Sequence, residues 1–148
     1  MSLKNIAVPA ICAAAVVAGC AQTNSSSNAP VQGAPAHLIG HTFQWTSGIT
    51  EAEGEYPHIA FDQTGNVSGL AGCNSLLGEV HQKGLAVDFS NLGTTRMLCA
   101  PKVMKSERAF LELLKRAAYA TQSKDTEGAV DLWSEAGDRI GQLLPKND

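Results

Sequence analysis

The sequence predicts an α+β domain: a small antiparallel sheet, curved or barrel-like, with one amphipathic helix packed on it. Three observations lead there. Short apolar segments alternate with polar, glycine-bearing turns over most of the chain. One stretch, Lys102 to Ala118, holds neither glycine nor proline and repeats its apolar residues at helical spacing. Roughly 110 residues remain once an amino-terminal leader and linker are set aside, enough for one compact domain.

The elements follow in chain order. A first strand is expected within Leu38 to Thr46, with Trp45 in or beside the core. His58-Ile59-Ala60-Phe61-Asp62, the turn Gln63-Thr64-Gly65-Asn66, and Val67-Ser68-Gly69-Leu70-Ala71 read as a hairpin. Gly78 to His81, Gln82-Lys83-Gly84 and Leu85 to Phe89 repeat that pattern. The helix follows Pro101, a good residue for a first helical turn. Val103, Phe110, Leu114 and Ala117 form its apolar stripe, flanked by Met104, Leu111 and Ala118, with Lys105, Arg108, Glu112, Lys115 and Arg116 mainly opposite. Ala118 to Gln122, a polar turn Ser123 to Gly128, and Ala129 to Trp133 make a third hairpin. Glu135-Ala136-Gly137-Asp138 then turns the chain into a last strand, Arg139 to Leu144.

The amino terminus carries an address. Lys4 precedes an apolar run from Ile6 to Val17, and Val17-Ala18-Gly19 ends at Cys20. Small residues before a cysteine are the pattern of a bacterial lipoprotein signal peptide, here residues 1–19, cleaved so that Cys20 carries lipid. The apolar run is too short to span about 30 Å of hydrocarbon. Each acyl methylene buried contributes about 0.8 kcal/mol, so several chains anchor durably. Ala21 rather than aspartate follows Cys20, which points to the outer membrane, facing the periplasm. Residues 20–36 are rich in serine, asparagine, alanine and proline and bury too little surface to offset ordering, so they read as a flexible tether. The domain then occupies 37–148.

The formal net charge is −3. No basic cluster stands ready for phosphates, so nucleic acid is not an expected partner. An acidic chain also disfavours direct contact with anionic headgroups, leaving the lipid on Cys20 as the expected membrane contact. Of the four cysteines, Cys12 leaves with the leader and Cys20 is lipidated. Cys73 and Cys99 remain in an oxidising compartment as a structural disulfide, with a reduced pair or a redox-active pair as the alternatives. The two-residue spacing of thiol oxidoreductases is absent.

No catalytic constellation emerges. Glu107 sits inside the helical apolar stripe, where a carboxylate is costly unless hydrogen-bonded. It is either a tuned acid or base, or a structural group tied to backbone amides or to Thr94, Thr95 or Arg96; the second is favoured because no paired carboxylate or histidine is visible. His37, His41, His58 and His81 lack metal-ligand spacing, so no metal is expected. Ser68 and Ser75 lie outside any glycine-x-serine-x-glycine elbow. Gly69-Leu70-Ala71-Gly72 lacks a phosphate-cradle spacing, so no cofactor is expected either. Gly72-Cys73-Asn74 reads as a sharp turn beside the disulfide.

Taken together, Gly69-Leu70-Ala71-Gly72-Cys73-Asn74, Thr94-Thr95-Arg96-Met97-Leu98-Cys99 and Met104 through Glu107 to Phe110-Leu111 resemble the META domain, the family of the heat-shock protein HslJ. The resemblance runs from about Trp45 to Leu144. It implies a small α+β domain in which Gly72, Asn74, Thr95, Met97 and Glu107 are structural motif residues, and it implies no reaction, substrate or cofactor. Ser75-Leu76-Leu77 departs from the family, whose members often carry an aromatic residue after the asparagine. The expectation is therefore a non-enzymatic envelope lipoprotein, a binding or stress-response module whose partner is an unidentified envelope protein or ligand. The alternative is an inhibitor of a secreted hydrolase such as lysozyme, since an acidic surface suits a basic enzyme.

Overall fold

The computed structural model describes residues 30–47 and 55–147. The leader, Cys20 and the first part of the tether lie outside those residues. The elements are β1 (Thr42–Gln44), β2 (His58–Phe61), β3 (Asn66–Leu70), β4 (Ser75–Lys83), β5 (Ala86–Thr94), α1 (Pro101–Arg116), β6 (Tyr119–Gln122), β7 (Val130–Trp133) and β8 (Arg139–Pro145). Each strand pairs antiparallel with the next, and β8 returns to β1, so the sheet closes into a barrel. The expected first strand contracts to β1; β4 is longer at both ends than its apolar alternation suggested, and β5 begins one residue later and ends five later.

Alternation along the strands sends one set of side chains inward. Ile59, Phe61, Val67, Leu76, Val80, Val87, Phe89, Ala120, Leu132 and Leu143 are all buried and fill the interior, as side chains do in barrels of this strand number. Phe61 links Phe43 and Phe89, each ring centroid 6.1 Å from its own. A bulge sets Asn91 and Leu92 of β5 opposite Gly78, with Asn91 at a φ of 52°. The extra residue reverses the alternation, so that Leu92 packs against the core.

The β2–β3 turn is held by Asp62. Its Oδ1 accepts from the backbone N–H of Thr64 at 2.8 Å and of Asn66 at 2.9 Å, and from Thr64 Oγ1 at 2.7 Å. Its Oδ2 accepts from Asn66 Nδ2 at 2.8 Å. These bonds, the Asn66 side chain first and Thr64 next, stabilise the ionised form and hold the Asp62 carboxyl well below the usual carboxylate range.

Helix α1 joins the end of β5 to the start of β6 and packs against the barrel at that end. Its buried side is Ser106, Glu107, Phe110, Leu113 and Leu114. This stripe is rotated from the expected one: Val103 is only half-buried, and Leu113 is buried in its place. Gly141 on β8 explains the rotation, because a Cβ there would lie 2.7 Å from Leu113 Cδ1. Phe110 stacks on Trp45 with centroids 5.6 Å apart. Among the described residues, no helix is long and apolar enough to cross a membrane.

Strand β6 pairs with β5 only through Ala86 and Tyr119. Its remaining edge is covered by the end of the segment that composition assigned to the tether. Gln122 N donates to Ala34 O at 2.9 Å and Ala36 N to Ala120 O at 3.2 Å, while Val31 and Ala36 are buried. A free strand edge presents unpaired N–H and C=O groups, and residues 34–36 pair with those of β6. Gly33 lies against Thr121, and Pro30 against Gly137 in the β7–β8 turn. Beneath this cover, Thr121 Oγ1 accepts from Trp133 Nε1 at 2.9 Å. Asp131 accepts from Arg139 at 2.6 Å and from Gln142 at 3.1 Å.

Candidate functional site

The motif residues of the sequence converge at one place, where the β3–β4 turn, the loop after β5 and the start of α1 meet. Glu107, 5% exposed, accepts from Cys73 N at 3.3 Å, from Asn74 N at 3.0 Å, and from Asn74 Nδ2 with both carboxylate oxygens, at 3.0 and 3.1 Å. Asn74 turns its other amide atom the opposite way. Its Oδ1 accepts from Met97 N at 2.6 Å and from Thr95 Oγ1 at 3.0 Å, and Thr95 Oγ1 itself accepts from Ser75 N at 3.1 Å. A primary amide presents donors on one side and an acceptor on the other, so one side chain joins a carboxylate to a pair of donors. Aspartate would set a carboxylate against Glu107; leucine would take away the side-chain partner of Glu107 Oε1, Met97 N and the Thr95 hydroxyl, leaving Glu107 only the two backbone amides.

Gly72 belongs to the same knot. A Cβ at this position would lie 3.0 Å from Glu107 Cβ and 3.3 Å from its Cα, so a side chain here would crowd the helix, and glycine eases the close approach that the amide bonds need. Cys73 and Cys99 form a disulfide with their Cα atoms 6.3 Å apart, fastening the same turn to the same loop. Glu107 is thus tied to backbone amides and to Asn74. Thr95 reaches it only through Asn74, and no bond joins it to Thr94 or Arg96 among the described residues. Both its oxygens accept hydrogen bonds from the β3–β4 turn, so the arrangement holds that turn and its loop in place.

What the knot displays is apolar. Met97 engages through its backbone while its side chain is 56% exposed, and Leu98 is 99% exposed. Leu77, where the sequence departs from the family pattern, is 64% exposed on β4 near the same loop. Two features escaped sequence reading. Asn74 looked like a turn residue, although a polar group two residues from an apolar strand, with an isolated glutamate in a helical stripe, was a signal for a partnered pair. Exposure of Leu98 had no periodic signal at all.

The opposite end of the barrel holds a groove of about 680 Å³. His37, His41, Phe43, Glu127, Pro145 and Lys146 are among its lining residues. His58 lies elsewhere, with Nδ1 3.3 Å from Tyr56 O, and His81 is exposed on β4. Among the described residues, no group of three or more His, Cys, Asp or Glu side chains is arranged to hold a metal ion.

A closed antiparallel barrel with one covering helix, tied by a disulfide and a buried Asn–Glu pair, defines a small structural class. The META domain family model matches residues 37–146, and the chain belongs to that family. Among solved structures, an NMR structure of a protein from Burkholderia xenovorans is similar, with a TM-score of 0.63 and 18% identity, over 80% of this chain and 94% of that one. A second NMR structure has a TM-score of 0.54 and 23% identity, over 72% of this chain and 90% of that one. These likenesses show the fold. Among curated proteins, none matches the chain.

Proposed function

We propose that this chain is a non-enzymatic lipoprotein of the bacterial envelope, anchored through Cys20 at the outer membrane, whose META domain is a binding or stress-response module. The observation that carries this reading is the engagement of the motif. Glu107, Asn74 and Thr95 bond to one another and to backbone, and what they hold outward is the loop bearing Met97 and Leu98. A buried polar network with its members satisfied rigidifies what it carries. Two neighbouring exposed apolar side chains on one fixed loop support a recognition role. The Val17-Ala18-Gly19-Cys20 sequence supplies the address.

The test is genetic. A strain lacking the chain is challenged with heat and with envelope-directed antibiotics, then complemented with the intact chain, with Cys20→Ala, and with Leu98→Asp. Rescue by the intact chain alone is the expected result. A deletion strain as resistant as its parent would count decisively against a stress role.

A further inference from the structure

The net charge of −3 conceals a division. Six of the eleven Lys and Arg residues lie between Thr95 and Ala118, with only two of the fourteen Asp and Glu, and one of those two is the buried Glu107. Arg96, Lys102, Lys105 and Arg108 are all exposed, and they surround the exposed Met97 and Leu98 in sequence. Lys102 stands in the first turn of α1, at the positive end of the helix dipole, and no side chain caps that end. A cation there opposes the dipole. The sequence thus concentrates positive charge where helix stability would favour negative.

The direction of the tether adds an independent observation. The loop after β5 lies at the barrel end where odd-numbered strands finish, and so does the β7–β8 turn. Pro30 lies against Gly137 in that turn, so the amino-terminal segment reaches the domain at the same end as the basic, apolar loop. Only nine residues lie between Cys20 and Pro30, ten steps of the chain. At full extension they reach about 35 Å.

We infer that the loop from Thr95 to Lys105 docks on an anionic phospholipid surface, with Met97 and Leu98 entering the interface and Arg96, Lys102 and Lys105 meeting headgroup phosphates. This rests on the reading of Cys20 as the lipid anchor. An apolar tip flanked in sequence by exposed cations suits such a surface, because the cations gain from its negative potential while the apolar side chains leave water. The disulfide and the Asn74 bonds keep the loop from folding back on the barrel. Acidic side chains also stand at this end, with Glu55 in the β1–β2 connection and Glu135 and Asp138 in the β7–β8 turn, and none lies within the loop itself.

The experiment uses the full lipidated chain, reconstituted on vesicles of phosphatidylcholine alone or mixed with phosphatidylglycerol. Sedimentation reads the anchor, and amide exchange over residues 95–105 reads the docking. The expected result is sedimentation with both vesicles and exchange slowed several-fold only where phosphatidylglycerol is present, reversed by high salt and by the double variant Arg96→Glu, Lys102→Glu. Equal exchange on both vesicles, with sedimentation intact, overturns the docking and leaves the anchor standing. Sedimentation with phosphatidylglycerol vesicles alone, with the loop protected, supports the docking and overturns the anchor. Failure to sediment with either overturns both. Protection that persists in detergent and grows with protein concentration assigns the loop to a second copy of the chain and overturns the lipid reading.

Discussion

At the scale of single residues, the Asn74–Glu107 pair is the most demanding feature of the chain. Each buried donor or acceptor left without a partner costs about 1–3 kcal/mol. Glu107→Ala strands the amides of Cys73 and Asn74 and the Asn74 side chain, so a loss of about 3 kcal/mol or more is expected in denaturant unfolding. Glu107→Gln keeps one acceptor and should lose less; equal losses would mean that shape, not hydrogen bonding, decides. Asp62 offers a pH test of the opposite, exposed kind. Its folded pKa is depressed, so its contribution is fully present above the unfolded value of about 4 and declines as pH falls below it. Thermal melts of Asp62→Asn should therefore show a deficit at neutral pH that narrows as pH falls from about 4 toward 2. A deficit independent of pH would assign the role to geometry alone.

At the scale of elements, α1 combines a well-matched carboxyl end with a mismatched amino end. Lys115 and Arg116 complement the dipole in the last turn, whereas the first turn holds Lys102 and no acid. Lys102→Glu should therefore stabilise the domain by about 0.3–1 kcal/mol at low salt, measured as a rise in the urea midpoint. Its helix shows how far periodicity reaches. The apolar stripe located the element within two residues of its ends, since Pro101 opens it and the charged side is continuous. It misjudged the rotation, because the helix turns toward Gly141 and toward Gly72, two positions on other elements where the absent side chain admits Leu113 and Glu107. Hairpins were more legible, because alternation and turn residues are local.

At the scale of the whole molecule, closure depends on joints that are short. β1 meets β8 through two residue pairs and β5 meets β6 through one, while residues 34–36 and α1 complete the gap. The disulfide links residues 26 apart across the same end. In the chain-entropy model a loop of that size stabilises by about 3.5 kcal/mol. Replacing both Cys73 and Cys99 by serine should lower stability by about that much, and the amides of residues 95–100 should lose exchange protection before those of the barrel. Uniform loss across the domain would show that the disulfide holds the whole barrel rather than the loop.

The sequence by itself determined the α+β class, the order of strands about one late helix, and the family, because each of these is written in local alternation, turn chemistry and rare residues at fixed spacing. The pairing of Cys73 with Cys99 was also legible, by elimination among four cysteines. Only the tertiary structure decided that the sheet closes, since closure depends on β1 meeting β8 and no local pattern records it. It alone decided the inward docking of residues 30–36, whose composition argued for a tether and whose order comes from the open edge of β6. The partners of Glu107 and the exposure of Leu98 likewise depend on which distant segments approach, and physical proximity between residues far apart in sequence arises only when the chain has folded.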